Sequence, residues 1–183
     1  MKYFILVLTA VCIYQGAYSQ PEPSLFTADG ILYFKSEAPL ELIEASSDQL
    51  RGIIDFTNQT FAFSVAINTF RGFNSALQRE HFNENYMESA KYPKAVFSGK
   101  LIERIDFTKD GEYKVRAKGK LSIHGVEQER IIQSSLKISN GSIFLQSYFT
   151  ILLVDHNIPI PKVVQQKIAE VIKVYIEANC VVK

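Results

Sequence analysis

The sequence predicts an all-β, antiparallel domain, built either as a closed barrel or as a sandwich. The first observation is a period-two alternation of apolar and polar residues, which is clearest over residues 112–123. Successive side chains of a strand point to opposite faces, so this segment predicts a strand with one dry and one wet side. The second observation is turn chemistry. Asn140-Gly141 lies between two alternating runs and is typical of a tight β-hairpin.

The alternating runs give the predicted strands in chain order. They lie near residues 30–36, 40–45, 49–57, 60–68, 95–104, 112–123, 127–139, 142–154 and 170–182. Asn58-Gln59 and Lys109-Asp110-Gly111 are further turn signals between them. Eight or nine strands at hairpin spacing favour a barrel or a sandwich. Cys180 shares the apolar face of the last run, so we expect its thiol to point inward.

Two stretches interrupt the alternation and predict short helices, near residues 76–88 and 162–170. In the first stretch, Phe82 and Tyr86 are four residues apart and would share one helix face. In the second, Val164 and Ile168 have helical spacing and follow a proline suited to a first turn. We expect this second helix to dock on the β structure before the last strand.

Residues 1–19 have the pattern of a secretory signal peptide. Lys2 precedes a short apolar run, and Ala17 and Ser19 place small side chains before a cleavage point. The run is too short to span a bilayer, which needs about 20 apolar residues. An uncleaved anchor or a buried strand is the alternative. We therefore expect export to the periplasm or the extracellular space, with one domain over residues 20–183 and no transmembrane span in the mature chain.

The charge and cysteine content exclude some functional classes. The formal net charge is +1, and removal of Lys2 with the signal peptide leaves it at zero. A neutral chain without a block of Lys or Arg predicts no nucleic-acid partner. Cys12 leaves with the signal, so Cys180 remains alone and cannot form an internal disulfide.

The residue pattern leaves open whether the interior is filled or hollow. The chain has 13 phenylalanines and no tryptophan. Small residues interrupt several apolar faces, at Gly99, Ala117, Gly119 and Ser147. They leave room for a ligand, or they taper a packed core and permit sharp strand coiling.

Candidate chemistry is sparse. The three histidines, His81, His124 and His156, lie far apart in sequence. Glu80, His81 and Glu84 could place ligands on one side of a helix turn, but a metal site needs three or four ligands in fixed geometry. Helix capping and surface hydrogen bonds are the alternative reading. There is no G-x-S-x-G elbow and no glycine-rich phosphate loop. We predict a protein that is not an enzyme and holds no cofactor or metal.

Two motifs resemble the YceI-like family. The segment Glu80–Gly99 reads EHFNENYMESAKYPKAVFSG, with a helical stretch, a Tyr-Pro pair and a strand containing Phe. The segment Gly119–Val126 reads GKLSIHGV, where the family usually has Leu-Thr-Ile-His-Gly-Val. The resemblance covers nearly the whole mature domain and is strongest over residues 80–126. It implies a lipocalin-like, eight-stranded antiparallel barrel in a bacterial envelope protein. Some family members hold a polyisoprenoid chain inside the barrel.

The chain also departs from the family pattern in two places. The opening strands are expected to be short and to end near residues 37–40, unlike the longer opening common in the family. Asp155-His156-Asn157-Ile158-Pro159 stands where the family has an Arg-x-x-Phe-Gly stretch before the final strand.

The leading hypothesis is binding, sequestration or transport of an apolar, lipid-like ligand, a polyisoprenoid or a fatty chain. The predicted cavity wall consists of inward apolar residues: Phe61, Phe63, Val65, Phe97, Leu101, Val115, Leu121, Phe149, Val174 and Ile176. Arg79, His81 and His124 are candidates to meet a polar head group at the mouth. The alternatives are an envelope stress or interaction module with a filled barrel, and a haem- or metal-associated enzyme.

Overall fold

A computed structural model describes residues 25–107 and 109–182, which form a closed barrel of eight antiparallel strands. The strands follow one another around the barrel in sequence order, and pairing of the first with the last closes it. This confirms the predicted fold. The strands are β1 (Leu25–Glu37), β2 (Leu42–Asp55), β3 (Thr60–Ala66), β4 (Lys94–Leu101), β5 (Gly111–Ile123), β6 (Val126–Ser139), β7 (Ser142–Leu152) and β8 (Val171–Val182).

The opening of the chain differs from the sequence prediction. The segments predicted near 40–45 and 49–57 are one strand, β2, and β1 has 13 residues, so the expectation of short opening strands is wrong. The reason is a β-bulge. The β1–β2 register shifts between Gly30 and Leu32, and Asp48 and Gln49 are both exposed on β2. Two consecutive exposed residues break the period of two without ending the strand.

Alternating strand directions give the barrel two distinct ends. The connections at residues 38–41, 67–93, 124–125 and 153–170 lie at one end, which we call the upper end. The shorter connections at the lower end include the Asn140-Gly141 turn, with φ of 50° and 75°. Positive φ at both residues is the geometry of the predicted tight hairpin, which is confirmed. His124-Gly125 turns in the same way at the upper end, with φ of 51° and 74°.

The helix predicted near residues 76–88 is present as α1 (Ala76–His81), followed by one π turn (Phe82–Tyr86). Ser75 begins α1, because its side chain accepts a hydrogen bond from the Gln78 backbone N–H.

The helix predicted near residues 162–170 is absent, apart from a single 3-10 turn over Lys162–Val164. The Ile168 N–H bonds to the Val164 carbonyl at 3.1 Å, but other backbone groups of this segment bond to β1 and to the β1–β2 connection. The Leu40 N–H donates to the Gln166 carbonyl at 2.8 Å, and the Ala169 N–H donates to Ser36 Oγ at 2.9 Å. These long-range bonds compete with an i to i+4 ladder, and a segment this short is marginal as a helix.

The dry faces predicted from the alternation point inward. On β5, Val115, Ala117, Leu121 and Ile123 are buried. Cys180 is fully buried on β8, and burial raises the pKa of its thiol to about 12. No helix of residues 25–107 and 109–182 is long and apolar enough to cross a membrane. The predicted signal peptide, residues 1–19, lies outside the described residues.

Gly99 and Gly119 face each other across β4 and β5. A Cβ at either position would clash with the backbone of the opposite strand. These glycines therefore allow close strand approach and do not enlarge the interior. Of the four small residues noted in the sequence, only Ala117 and Ser147 line the cavity described below.

A two-chamber cavity inside the barrel

The barrel encloses two adjoining chambers. The upper chamber has a volume of about 480 Å³ and the lower chamber about 80 Å³. They share lining from five residues, which form a ring between them: Leu32, Val65, Ala95, Leu121 and Phe149. The interior is therefore hollow, and the filled-barrel alternative is wrong.

The lower chamber is apolar and closed at its base. Phe26 packs edge-on against Phe56 with ring centroids 4.8 Å apart, and Phe107 stacks on Phe56. These three rings pack together at the lower end of the barrel. The hydroxyls of the buried Ser134 and the partly buried Ser147 bond to each other, so these two polar groups are already satisfied.

The upper chamber is walled by an aromatic cluster. Phe34 of β1 contacts Phe70, Phe73 and Phe82, with ring centroids 5.4 to 6.0 Å apart. Phe82 and Tyr86 both line the chamber, as expected if they share one face. Burial raises the pKa of Tyr86. Phe34, Phe70 and Phe73 were not predicted from the sequence, although the high phenylalanine count was a signal for them.

The mouth of the upper chamber carries its polar lining: Ser36, Glu41, Ser75, Gln78, His81 and Lys167. Gln78 Nε2 donates a hydrogen bond to Glu41 Oε1 at 2.9 Å, so these two polar side chains already bond to each other. Within the described ranges, the Lys167 ammonium forms no ion pair. The mouth therefore carries one ammonium, Lys167, and one carboxylate, Glu41, beside an apolar interior, and neither forms an ion pair within the described ranges.

All ten residues predicted for the wall line the cavity. Val174 lines the upper chamber only, three line both chambers, and the others line the lower one. Period-two alternation found them because it reports which face of a strand is enclosed. Their contact with a ligand stays a prediction.

The three predicted mouth residues have different positions. His81 lines the upper chamber. Arg79 and His124 line neither chamber. The Arg79 guanidinium donates a hydrogen bond to the Asn68 carbonyl oxygen at 3.5 Å, at an exposed place in the β3–β4 connection.

His124 connects three of the upper connections. Its Nε2 lies 2.7 Å from Glu88 Oε2, and its Nδ1 lies 3.1 Å from the His156 carbonyl oxygen. Because a carbonyl can only accept, Nδ1 carries a proton. The Tyr92 ring meets the His124 ring edge-on at 4.8 Å and covers Gly125. The Tyr-Pro and His-Gly motifs of the sequence are therefore in direct contact.

His156 is fully buried beneath this contact. Its Nδ1 lies 3.3 Å from the Val126 carbonyl oxygen, and its Nε2 has no hydrogen-bond partner in the described structure. Burial lowers the pKa of the imidazole, so the neutral form is favoured in the folded protein.

Potential metal-ligating side chains form no cluster in the described part of the chain. No group of three His, Cys, Asp or Glu side chains within residues 25–107 and 109–182 could hold a metal ion. Glu80, His81 and Glu84 are among the residues searched.

The family follows from a match over most of the barrel. A family model described as the YceI-like domain matches residues 36–180. The chain belongs to the YceI-like family. No curated protein matches the sequence significantly.

Solved structures share this YceI-like barrel at low sequence identity. A polyisoprenoid binding domain from Saccharophagus degradans, implicated in plant cell wall breakdown, superimposes with a TM-score of 0.74 at 16% identity, covering 88% of this chain and 100% of that domain. BcnA of Burkholderia cenocepacia gives 0.68 at 11% identity, covering 82% and 95%. The Campylobacter jejuni YceI protein gives 0.59 at 16% identity, covering 75% and 83%. These likenesses establish the fold.

Proposed function

We propose that this YceI-like protein carries one apolar, lipid-like molecule inside its barrel and performs no chemistry on it. The observation that carries the proposal is the upper chamber. Its volume of about 480 Å³ lies within the range of roughly 300–1,000 Å³ typical of pockets for small ligands. Aromatic and aliphatic side chains form most of its wall, and polar groups lie at its mouth.

The driving force for binding is the removal of apolar surface from water. Each Å² of apolar surface removed contributes about 25 cal/mol. The inward faces of paired strands form the lower chamber and part of the upper one, so little of that wall has to become ordered when a ligand enters, which reduces the cost of association. The mouth polarity favours an amphiphile whose head stays near Lys167 and His81 while its chain fills the upper chamber.

A polyisoprenoid or a fatty chain is the proposed ligand class. The neighbour from Saccharophagus degradans is a polyisoprenoid binding domain with the same fold, which supports this class. The lower chamber, at about 80 Å³, accepts only the end of such a chain.

The proposed location is outside the cytoplasm, in the periplasm or the extracellular space of a bacterial envelope. The signal-peptide pattern of residues 1–19 and membership of the YceI-like family support it. The mature domain is then residues 20–183.

Filling the ring between the chambers tests the proposal. Ala95 lines both chambers, and Ala95→Phe adds a ring there. We expect it to weaken binding of the apolar dye N-phenyl-1-naphthylamine about tenfold or more, because the ring occupies the ligand's space and removes apolar contact area. Fluorescence titration measures the affinity.

The matched control is Ala62→Phe, which adds the same ring to an exposed position on β3. We expect it to bind the dye as the wild type does. Thermal unfolding of both variants verifies that each is folded. Equal dye affinity for a folded Ala95→Phe variant and the wild type would contradict a ligand site in this cavity.

A further inference from the structure

Three large apolar side chains are exposed on separate segments around the mouth. Leu40 is 67% exposed, Leu77 is 58% exposed and Val163 is 88% exposed. We call these three residues the apolar rim. Exposed apolar residues scattered singly over a surface are ordinary, whereas a group of them marks an interaction site.

Hydrogen bonds hold the three segments of the rim side by side. The Leu40 N–H bonds to the Gln166 carbonyl, which joins the β1–β2 connection to the segment that carries Val163. Gln78 of α1 bonds to Glu41, which joins the same connection to the helix that carries Leu77. The three segments that carry the rim residues therefore have fixed relative positions in the folded protein.

The rim is continuous with the cavity. Leu77 belongs to the rim and also lines the upper chamber, and Val164, next to Val163, lines it as well. The apolar tail of a ligand that moves between the rim and the upper chamber thus stays beside apolar side chains.

The charges beside the rim favour an anionic surface. Lys162 and Lys167 flank Val163, and neither ammonium forms an ion pair within residues 25–107 and 109–182. Glu41, which also lines the mouth, accepts a hydrogen bond from the neutral Gln78 side chain and forms no ion pair with either lysine in the described structure. A second copy of the chain would present the same two cations to them, whereas anionic lipid head groups present the opposite charge.

We propose that the apolar rim docks the mouth of the barrel on a lipid bilayer, so that the ligand passes directly between membrane and cavity. Leu40, Leu77 and Val163 enter the head-group region, and Lys162 and Lys167 contact anionic head groups. The inference rests on the proposed function, because it assumes an apolar ligand that resides in membranes.

A transfer experiment tests this docking. Protein loaded with an anthroyloxy-labelled fatty acid is mixed with phosphatidylcholine vesicles, with and without phosphatidylglycerol, and the rate of probe transfer is followed by fluorescence. For the wild type, we expect a rate that rises with vesicle concentration, is higher with phosphatidylglycerol, and falls toward the phosphatidylcholine rate at high salt.

The variant to compare is the double substitution Leu40→Ser and Val163→Ser, since neither residue lines a chamber. We expect it to transfer the probe about tenfold more slowly, because two apolar side chains no longer leave water on docking. Its equilibrium affinity for the probe stays equal to that of the wild type.

The matched control is Ile53→Ser with Ile131→Ser, which removes exposed isoleucines from the outer wall of the barrel. We expect its transfer rate to stay within roughly twofold of the wild type, as is usual for surface substitutions.

The outcomes separate the inference from the proposed function. Wild-type protein that binds no probe overturns both. Normal probe binding with a rate independent of vesicle concentration, or equal slowing by the control pair, overturns docking alone. Docking alone is also overturned if the wild type forms a dimer through the rim. In that case the Leu40→Ser, Val163→Ser variant is monomeric and transfers the probe at the wild-type rate.

Discussion

His156 is a buried residue with one satisfied ring nitrogen and one that has no partner in the described structure. At the scale of single residues, such a group links stability to pH. Burial is the main cause that holds its pKa below the ordinary value of 6.5, and the hydrogen bond to the Val126 carbonyl and the Asp155 carboxylate only partly oppose this. Protonation of the folded protein therefore requires a charge in a dry site.

This gives a prediction for the pH dependence of stability. Below pH 6.5 the unfolded chain binds a proton at this histidine more readily than the folded chain, so the free energy of unfolding falls as the pH falls through that region. His156→Gln keeps a donor for the Val126 carbonyl and removes the titration. We expect a flatter profile for this variant between pH 8 and pH 5, measured by urea unfolding.

The control for this experiment is His81→Gln, which changes an exposed histidine. Its stability profile is expected to keep the wild-type slope. Identical slopes for wild type and His156→Gln would refute the assignment of the pH dependence to the buried imidazole.

The Tyr92–Gly125 contact matters at the scale of elements, because it holds the β3–β4 connection on the β5–β6 turn. Gly125 has φ of 74°, and a Cβ there would overlap the Tyr92 ring. Gly141 has φ of 75° and nothing within 4 Å of the corresponding Cβ position. The two glycines thus share their backbone conformation and differ in their surroundings.

We expect Gly125→Ala to lower the free energy of unfolding by more than Gly141→Ala does. Both variants lose about 1 kcal/mol to the left-handed conformation. Gly125→Ala loses a further 1–3 kcal/mol, roughly, through displacement of Tyr92. Urea unfolding of the two variants measures the difference. Equal losses would show that the contact between the two motifs contributes nothing to stability.

The sequence predicted elements well where one local rule sufficed. On β5, alternation is unbroken and burial follows it, and positive φ at Asn140 and Gly141 follows the turn chemistry. It failed where partners distant in sequence decide the outcome. The bulge at Asp48 and Gln49 depends on pairing with β1, and the segment 162–170 bonds to Ser36 and Leu40 in place of completing a helix.

Across the whole molecule, the candidate site too could be predicted from the sequence only in part. The part of the cavity wall that the strands form could be found from alternation, since each strand contributes its inward face to one enclosed space, whereas Phe70 and Phe73 lie in a connection and were missed. The mouth could not be found in this way. Lys167, Glu41 and Gln78 meet there only after the barrel has closed and its upper connections have packed together. His124 carried a family motif, yet it bonds Glu88 and the His156 carbonyl and lines neither chamber.

The hollow interior is the feature of the whole molecule on which the account depends. Two chambers with apolar walls, open at one end beside a cation, are suited to a single-chain amphiphile. Water is poorly stabilised in such a space, because few polar groups there can form hydrogen bonds with it.

The most direct measurement is organic extraction of the protein purified from its native host without detergent, followed by mass spectrometry of the extract. We expect a lipid with a polyisoprenoid or fatty chain, near one per barrel, and its loss from the Ala95→Phe variant. Repeated extraction of wild-type protein that yields no such lipid, together with no uptake of apolar dye, would contradict it.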